Sequence, residues 1–148
     1  MEIKEIDLTD EVLKQLISLS EAWEAENSCH GYRKNSKEYI EGNRIFLAVE
    51  DGQITGYLFG HMKVAKETSS VCPAGAKCFE IEELYVKPLY RNRGIGKRLF
   101  QYVEKKIADD ADMILLSTAT KNFRAILHFY IDELGMEFWY AQLFKKVG

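Results

Sequence analysis

The chain has 148 residues, about the length of one domain, and residues 1–148 are read as a single domain. Hydrophobic residues make up 47% and charged residues 29%, a globular composition that excludes disorder for the bulk of the chain. Twenty Lys and Arg against 23 Asp and Glu leave a net charge of −3, which argues against a globally basic nucleic-acid binder.

The first predicted element is a short edge strand over residues 2–7, where Ile3 and Ile6 alternate with charged residues. Thr9-Asp10 reads as a helix N-cap, and Val12, Leu13, Leu16, Ile17, Leu19 and Trp23 follow at helical spacing. Residues 28–36 have no period and form a loop, with a short helix near residues 36–41. Arg44 to Val49 is a continuous apolar run, expected as a strand buried on both faces. Asp51-Gly52 marks a hairpin turn, and Ile54 to Val64 returns as a long strand with Gly56 and Gly60 inside it.

Residues 66–77 form a loop. Phe79 to Val86 is a further central strand, stopped by Pro88. From Gly94 the chain is an amphipathic helix with Ile95, Leu99, Val103 and Ile107 on one stripe. Asp112 to Ser117 is another strand, and Asn122 caps a helix through Tyr130 that ends at Gly135. Met136 to Val147 offers one or two final strands, with Phe138, Trp139, Tyr140, Leu143 and Phe144 suited to a core or a homodimer interface. The strand-helix-strand order at residues 79–117 demands a parallel crossover, and the hairpin demands antiparallel neighbours. The fold class is therefore α/β (α+β), with a mixed central sheet of six to seven strands and about four helices.

Cys29, Cys72 and Cys78 are an odd number, which excludes a complete disulfide framework. His30, His61 and His128 are scattered, so no metal is expected. The charged start, Met1-Glu2-Ile3-Lys4-Glu5, lacks the apolar region of a signal peptide, and no run approaches the roughly 18–20 apolar residues that span a bilayer. The expectation is a cytoplasmic protein with no membrane partner.

The small net charge hides two poles. Residues 1–60 carry 12 acidic and 6 basic side chains, whereas residues 87–106 carry 7 basic side chains against Glu104 alone. That cationic segment is a turn between a strand and a helix. The free N–H groups of a helix start bind anions, helped by the helix dipole. Gly94 and Gly96 let the backbone approach a phosphate without a Cβ between them, and Arg91, Arg93, Lys97 and Arg98 add charge. A polyphosphate ligand is the expectation. A Walker A loop fails because Arg98 follows Gly96-Lys97, and a dinucleotide fingerprint fails because Leu99 stands where a third glycine or alanine belongs. RNA binding is disfavoured by the net charge and by the absence of interleaved aromatic residues.

The pattern Arg91-x-x-Gly94-x-Gly96 after Leu84-Tyr85-Val86-x-Pro88-x-Tyr90 resembles the acetyl-CoA-binding motif of the GNAT superfamily of N-acetyltransferases. The resemblance covers most of the chain in element order, is sharp at residues 79–135 and is weak at residues 1–43. It implies a GNAT-like fold and direct transfer of acetyl from acetyl-CoA, as co-substrate, to a primary amine. The amine would belong to a small cationic molecule, an aminoglycoside-like compound or a peptide. It implies that the amides of Asn92, Arg93, Gly94, Ile95, Gly96 and Lys97, with Arg91, hold the pyrophosphate. The backbone of Leu84, Tyr85 and Val86 would pair with the pantetheine arm, beside Asn122, in the gap before the 112–117 strand.

Tyr130 is then the proton donor to the leaving thiolate. It stands eight residues after Asn122 and five before Gly135, where the family commonly has seven and four, and a one-residue helix bulge would restore its position. Glu82 is the base or the ligand of the substrate ammonium. Glu80 and Glu83 read as a solvated edge or a salt bridge, with alternation placing Glu80 and Glu82 on the face of Leu84 and Val86. A bulge at Tyr85 or Val86 would free an amide for the oxyanion. The acceptor site would come from the N-terminal helices with their acids Glu21, Glu24, Glu26, Glu38 and Glu41, from the loop before Phe79, and from the last strands. Trp23, Tyr32 and Tyr39 would add cation–π contacts. A non-catalytic acyl-CoA sensor on the same fold is the alternative reading.

Overall fold

The computed structural model describes residues 1–148. Its elements are β1 (Glu2–Ile6), α1 (Asp10–Glu26), α2 (Lys37–Ile40), β2 (Arg44–Glu50), β3 (Gln53–Val64), β4 (Lys77–Val86), α3 (Ile95–Ile107), β5 (Met113–Leu116) and α4 (Phe123–Leu127). A 3-10 turn covers Pro88–Tyr90, and α4 runs directly into a π-helical turn over His128–Glu133. The five strands lie in sequence order in one mixed sheet, with every pair antiparallel except β4–β5.

Local chemistry accounts for the helix ends. The Thr9 hydroxyl accepts from the Val12 amide at 3.2 Å, and Asp10 and Glu11 sit at the positive end of the α1 dipole. Asn27 closes α1 in the left-handed region at φ 52°. Ser36 caps α2 in the same way, through the Tyr39 amide.

The sheet buries both faces, and β2 shows how. Ile45 and Leu47 pack towards α1 and α2 with Leu13, Leu16, Leu19, Ile40, Tyr57 and Phe59. Phe46 and Ala48, one residue out of phase, pack towards α3 with Leu58, Phe79, Ile81, Leu99 and Val103. A run apolar at every position is what two covered faces require.

Two irregularities shape the centre of the sheet. Phe59 pairs with Glu83 but Gly60 pairs with Ile81, so Glu82 is an extra residue in β4. The displaced β4 backbone lies so close to β3 that a Cβ at Gly60 would overlap the Glu80 carbonyl oxygen. The second irregularity is length. β5 pairs only with Cys78 to Ile81, so β4 has no strand partner on that side from Glu82 to Val86.

The final strands expected at Met136 to Val147 do not form, and the sheet has five strands rather than six or seven. A strand holds when it has a ladder partner and a face to bury. Here Trp139 is 44% and Leu143 91% exposed; Met136 donates its amide to the Tyr130 carbonyl, and beyond it the segment touches the rest of the fold through Trp139 Nε1, donating to the Ser70 hydroxyl at 3.1 Å, and through Phe144 against His30. The Cys72 and Cys78 thiols lie 3.1 Å apart, buried beside Met113. No helix is long and apolar enough to cross a membrane.

Candidate active site

The cationic turn folds into a backbone cradle. Arg91 donates its amide to the Pro88 carbonyl, and the next donor along the chain is Arg98, to Gly94. None of the six amides of residues 92–97 donates to a protein acceptor. Asn92 and Gly94 take the left-handed conformation at φ 63° and 78°, alternating with Arg93. That alternation turns successive N–H groups towards one side, which makes a nest for an anion. The start of α3 adds its dipole.

The cradle opens into a cavity of about 1150 Å³ between the unpaired half of β4 and the chain after β5. Twelve of the thirteen residues expected at the site line it: Glu82, Leu84, Tyr85, Val86, Arg91, Asn92, Gly94, Ile95, Gly96, Lys97, Asn122 and Tyr130. Arg93 does not; its guanidinium lies 5.2 Å over the Tyr90 ring. Opposite β4, Cys29 bridges to Thr120, while His30 donates its amide to Ala119 and Lys121 its amide to Ser28, so the loop after α1 closes over the chain before α4.

The widened turn foreseen from the Asn122–Tyr130 spacing is present as His128–Glu133, where Leu134 bonds five residues back to Phe129. Tyr130 sits inside it, half-buried against Phe100 and Phe129. Its hydroxyl donates to no protein atom and faces the cavity. Burial pushes its pKa up to about 12, which keeps the phenol protonated at neutral pH.

Three glutamates of β4 share the face towards α1 and α2. Glu80 pairs with Lys63. Glu82 accepts from the Tyr39 hydroxyl at 2.8 Å and lies 3.6 Å from His61 Nδ1. Glu83 is 6% exposed, and its Oε1 accepts from Tyr57 at 2.7 Å, Asn35 at 2.8 Å and Tyr32 at 3.1 Å. Burial drives the Glu83 carboxyl above its usual range; the three donors oppose the rise without cancelling it, and the Glu82 charge adds to it.

The sequence pattern that defines the acetyltransferase (GNAT) family matches residues 11–136. The chain belongs to the GNAT family. An uncharacterised N-acetyltransferase from the pepI 3′ region of Lactobacillus delbrueckii subsp. lactis is 34% identical over 65 residues, which are 44% of this chain and 35% of that protein's length. Solved structures share the GNAT fold at lower identity. Aminoglycoside N-acetyltransferase AAC(6')-Iy, in complex with CoA, superposes with TM-score 0.66 at 17% identity, covering 99% of both chains. An aminoglycoside acetyltransferase from an uncultured soil metagenomic sample, in complex with trehalose, gives 0.71 at 18% identity, covering 99% of this chain and 96% of that one. A transcriptional regulator from Bacillus halodurans C-125 also gives 0.71 at 18%, covering 99% and 100%.

Several expectations for this GNAT chain need correction. The Arg91 side chain is committed to protein partners: it pairs with Glu26 at 2.8 Å and donates to the Val86 carbonyl, and Tyr85 donates to the same Glu26 at 2.6 Å. Burial pushes the Glu26 carboxyl up, but the Arg91 and Tyr85 hydrogen bonds outweigh it and hold it below the usual range. Asn122 stands at the head of α4 without a side-chain capping bond; its backbone amide donates to the Thr120 hydroxyl at 3.2 Å, and its side-chain carboxamide is left open at the cavity. The bulge lies at Glu82, not at Tyr85 or Val86. It shifts the alternation, so Leu84 and Val86 face α3 while Glu80 and Glu82 face α1 and α2. The acids of α1 and α2 do not line the cavity. Lys34 and Lys37 draw Glu21 and Glu41, the Lys34 amide draws Glu24, and Arg91 draws Glu26. Neither residues 65–76 nor residues 136–148 contribute to its walls. Glu83 lies on no solvated edge and in no salt bridge: it is buried, with neutral hydrogen-bond donors at Oε1. Its one sequence trace is Gly60, a mid-strand glycine of the kind that accompanies a bulge.

Proposed function

We propose that this chain, as one domain, is an acetyl-CoA-dependent N-acetyltransferase that moves acetyl directly to a primary amine. The observation that carries this reading is the run of six unpaired amides at residues 92–97, placed where β4 loses its strand partner. A pyrophosphate fits the first feature, because its oxygens accept what the backbone leaves free. An extended amide-bearing arm fits the second, because it can hydrogen-bond to the open edge of Leu84, Tyr85 and Val86 as a strand would. Lys97 adds a cation at the cavity wall. The free Asn122 side-chain carboxamide supplies a further donor. Arg91 serves by clamping the turn to α1 and leaving the amides open.

The chemistry follows from the groups around the cavity. The amine lone pair attacks the thioester carbonyl carbon, a C–N bond forms, and the C–S bond then breaks. Glu82 takes the proton shed by the amine through a water, since its carboxylate reaches both Tyr39 and the cavity. Tyr130 gives its proton to the departing thiolate, which its unpartnered and protonated phenol suits. The π-helical turn brings Tyr130 to the cavity despite its unusual spacing, which favours transfer over the sensor alternative. The cytoplasm is the proposed compartment. Six large apolar residues exposed between Phe138 and Val147 support self-association of two copies through that tail, which light scattering would read as a doubled mass.

The test is calorimetric titration with acetyl-CoA, followed by CoA-thiol release over a panel of primary amines. Micromolar binding with amine-dependent release supports transfer. Binding with no release from any amine, unchanged in Tyr130→Phe and Glu82→Gln, returns the sensor reading. No binding overturns both.

A further inference from the structure

Glu83 is the one deeply buried carboxylate of the chain, and no cation pairs with it. All three of its protein donors converge on Oε1 and all are neutral. No donor reaches Oε2, which is nonetheless not sealed from solvent, and Glu83 lines the large cavity. A buried charge is costly unless something compensates it. Here the protein supplies half of the solvation shell and leaves the other half to whatever enters.

The walls beside it are aromatic. Trp23 stacks on Tyr32 at 4.3 Å and on Tyr85 at 5.0 Å, and all three rings line the cavity. Arg91 lies over one ring of this wall, 5.4 Å from the Tyr85 centroid, and its charge is neutralised by Glu26. A carboxylate oxygen walled by aromatic rings is the chemistry that recognises an ammonium.

We propose that Glu83 Oε2 is the seat of the acceptor's ammonium group, and that the acceptor is an alkylammonium with no carboxylate on the neighbouring carbon. The assignment rests on the acetyl-transfer reading above for what happens to the amine once seated. The Glu83 carboxylate supplies the charge and the Trp23, Tyr32 and Tyr85 rings supply the shape. Glu82, next in the chain, takes the proton when the ammonium becomes the nucleophile. An α-amino acid is disfavoured because its own carboxylate would enter beside Glu82 and Glu83.

Titrations with n-butylammonium chloride, n-butanol and CoA test this on the full chain. Glu83→Gln keeps an Oε1 for Tyr32, Tyr57 and Asn35 but points an amide into the cavity; Glu83→Asp keeps the charge but withdraws it. Wild type is expected to bind butylammonium and not butanol, with both variants at least tenfold weaker for butylammonium and within threefold of wild type for CoA. The seat is overturned if Glu83→Gln binds butylammonium within threefold of wild type, if butanol binds as tightly as butylammonium, or if wild type takes no butylammonium up to about 0.1 M. Failure of wild type to bind CoA overturns the acetyl-transfer reading instead and leaves the butylammonium result standing.

Discussion

Replacing Gly94 by glutamate separates the cradle's two requirements, backbone conformation and positive potential. Gly94 has φ +78°, and an ideal Cβ there meets no atom within 4 Å. A side chain is therefore strained but not blocked, at about 1–2 kcal/mol. In a chain of this length that strain lowers Tm by about 3–8 °C, so the variant stays folded at room temperature. The carboxylate adds a second effect on ligand binding alone. One charge about 4 Å from a phosphate charge, at an effective dielectric near 20, opposes binding by about 4 kcal/mol, or roughly a thousandfold in Kd. Gly94→Ala pays the strain without the charge. Calorimetric titration of CoA into wild type, Gly94→Ala and Gly94→Glu is expected to give Kd values within about threefold for the first two and roughly a thousandfold weaker for the third. The gap narrows as salt screens the exposed turn. If the two variants bind CoA equally while both remain folded, the phosphates do not sit in the cradle.

Tyr130→Phe is expected to lower kcat about a hundredfold or more with unchanged CoA affinity, and the wild-type kcat should show no alkaline loss from this phenol until the pH nears 12. Glu83→Gln is expected to be more stable than wild type at pH 7. The folded pKa of Glu83 is raised above its unfolded value, so its contribution to stability is fully present below about pH 4.5 and lost as the pH rises through the folded value. Thermal melts of the two proteins should therefore coincide in acid and diverge above about pH 4.5; divergence in the opposite sense would contradict the buried carboxylate. Gly60→Ala should cost about 1–3 kcal/mol or more in urea unfolding, because the obstacle is the Glu80 carbonyl rather than a side chain that can swing away.

The elements that local pattern dictates were legible. Two-faced burial of β2 shows in its unbroken apolar run, the β2–β3 hairpin in Asp51-Gly52, and α3 in its stripe of Ile95, Leu99, Val103 and Ile107. The cradle's geometry was legible because it resides in the backbone, where glycine spacing is the signal. What escaped depends on partners distant in sequence. Arg91 counts as a phosphate ligand by charge alone, until α1 brings Glu26 against it. The face of Glu82 follows a period of two until an extra residue interrupts it. Glu83 looks like surface in a run of three acids, because Tyr32, Asn35 and Tyr57 reach it from three other segments. The apolar tail after Gly135 reads as strand because composition reports a need for burial without reporting what will cover it.

The early end of β5 makes the sheet of this protein incomplete by about one strand segment, from Glu82 to Val86. A coenzyme lying there would be a component of the fold as much as a reactant, and the protein's resistance to unfolding would track the cell's acetyl-CoA supply. At a hundredfold excess over Kd the linkage is worth about 2.7 kcal/mol, a sizeable part of the stability of an ordinary domain. Amide protons at Leu84 and Val86 would exchange more slowly as the pool fills. With the coenzyme absent, the same gap would be the place where unfolding and proteolysis begin, so the abundance of the protein would fall with that of the coenzyme.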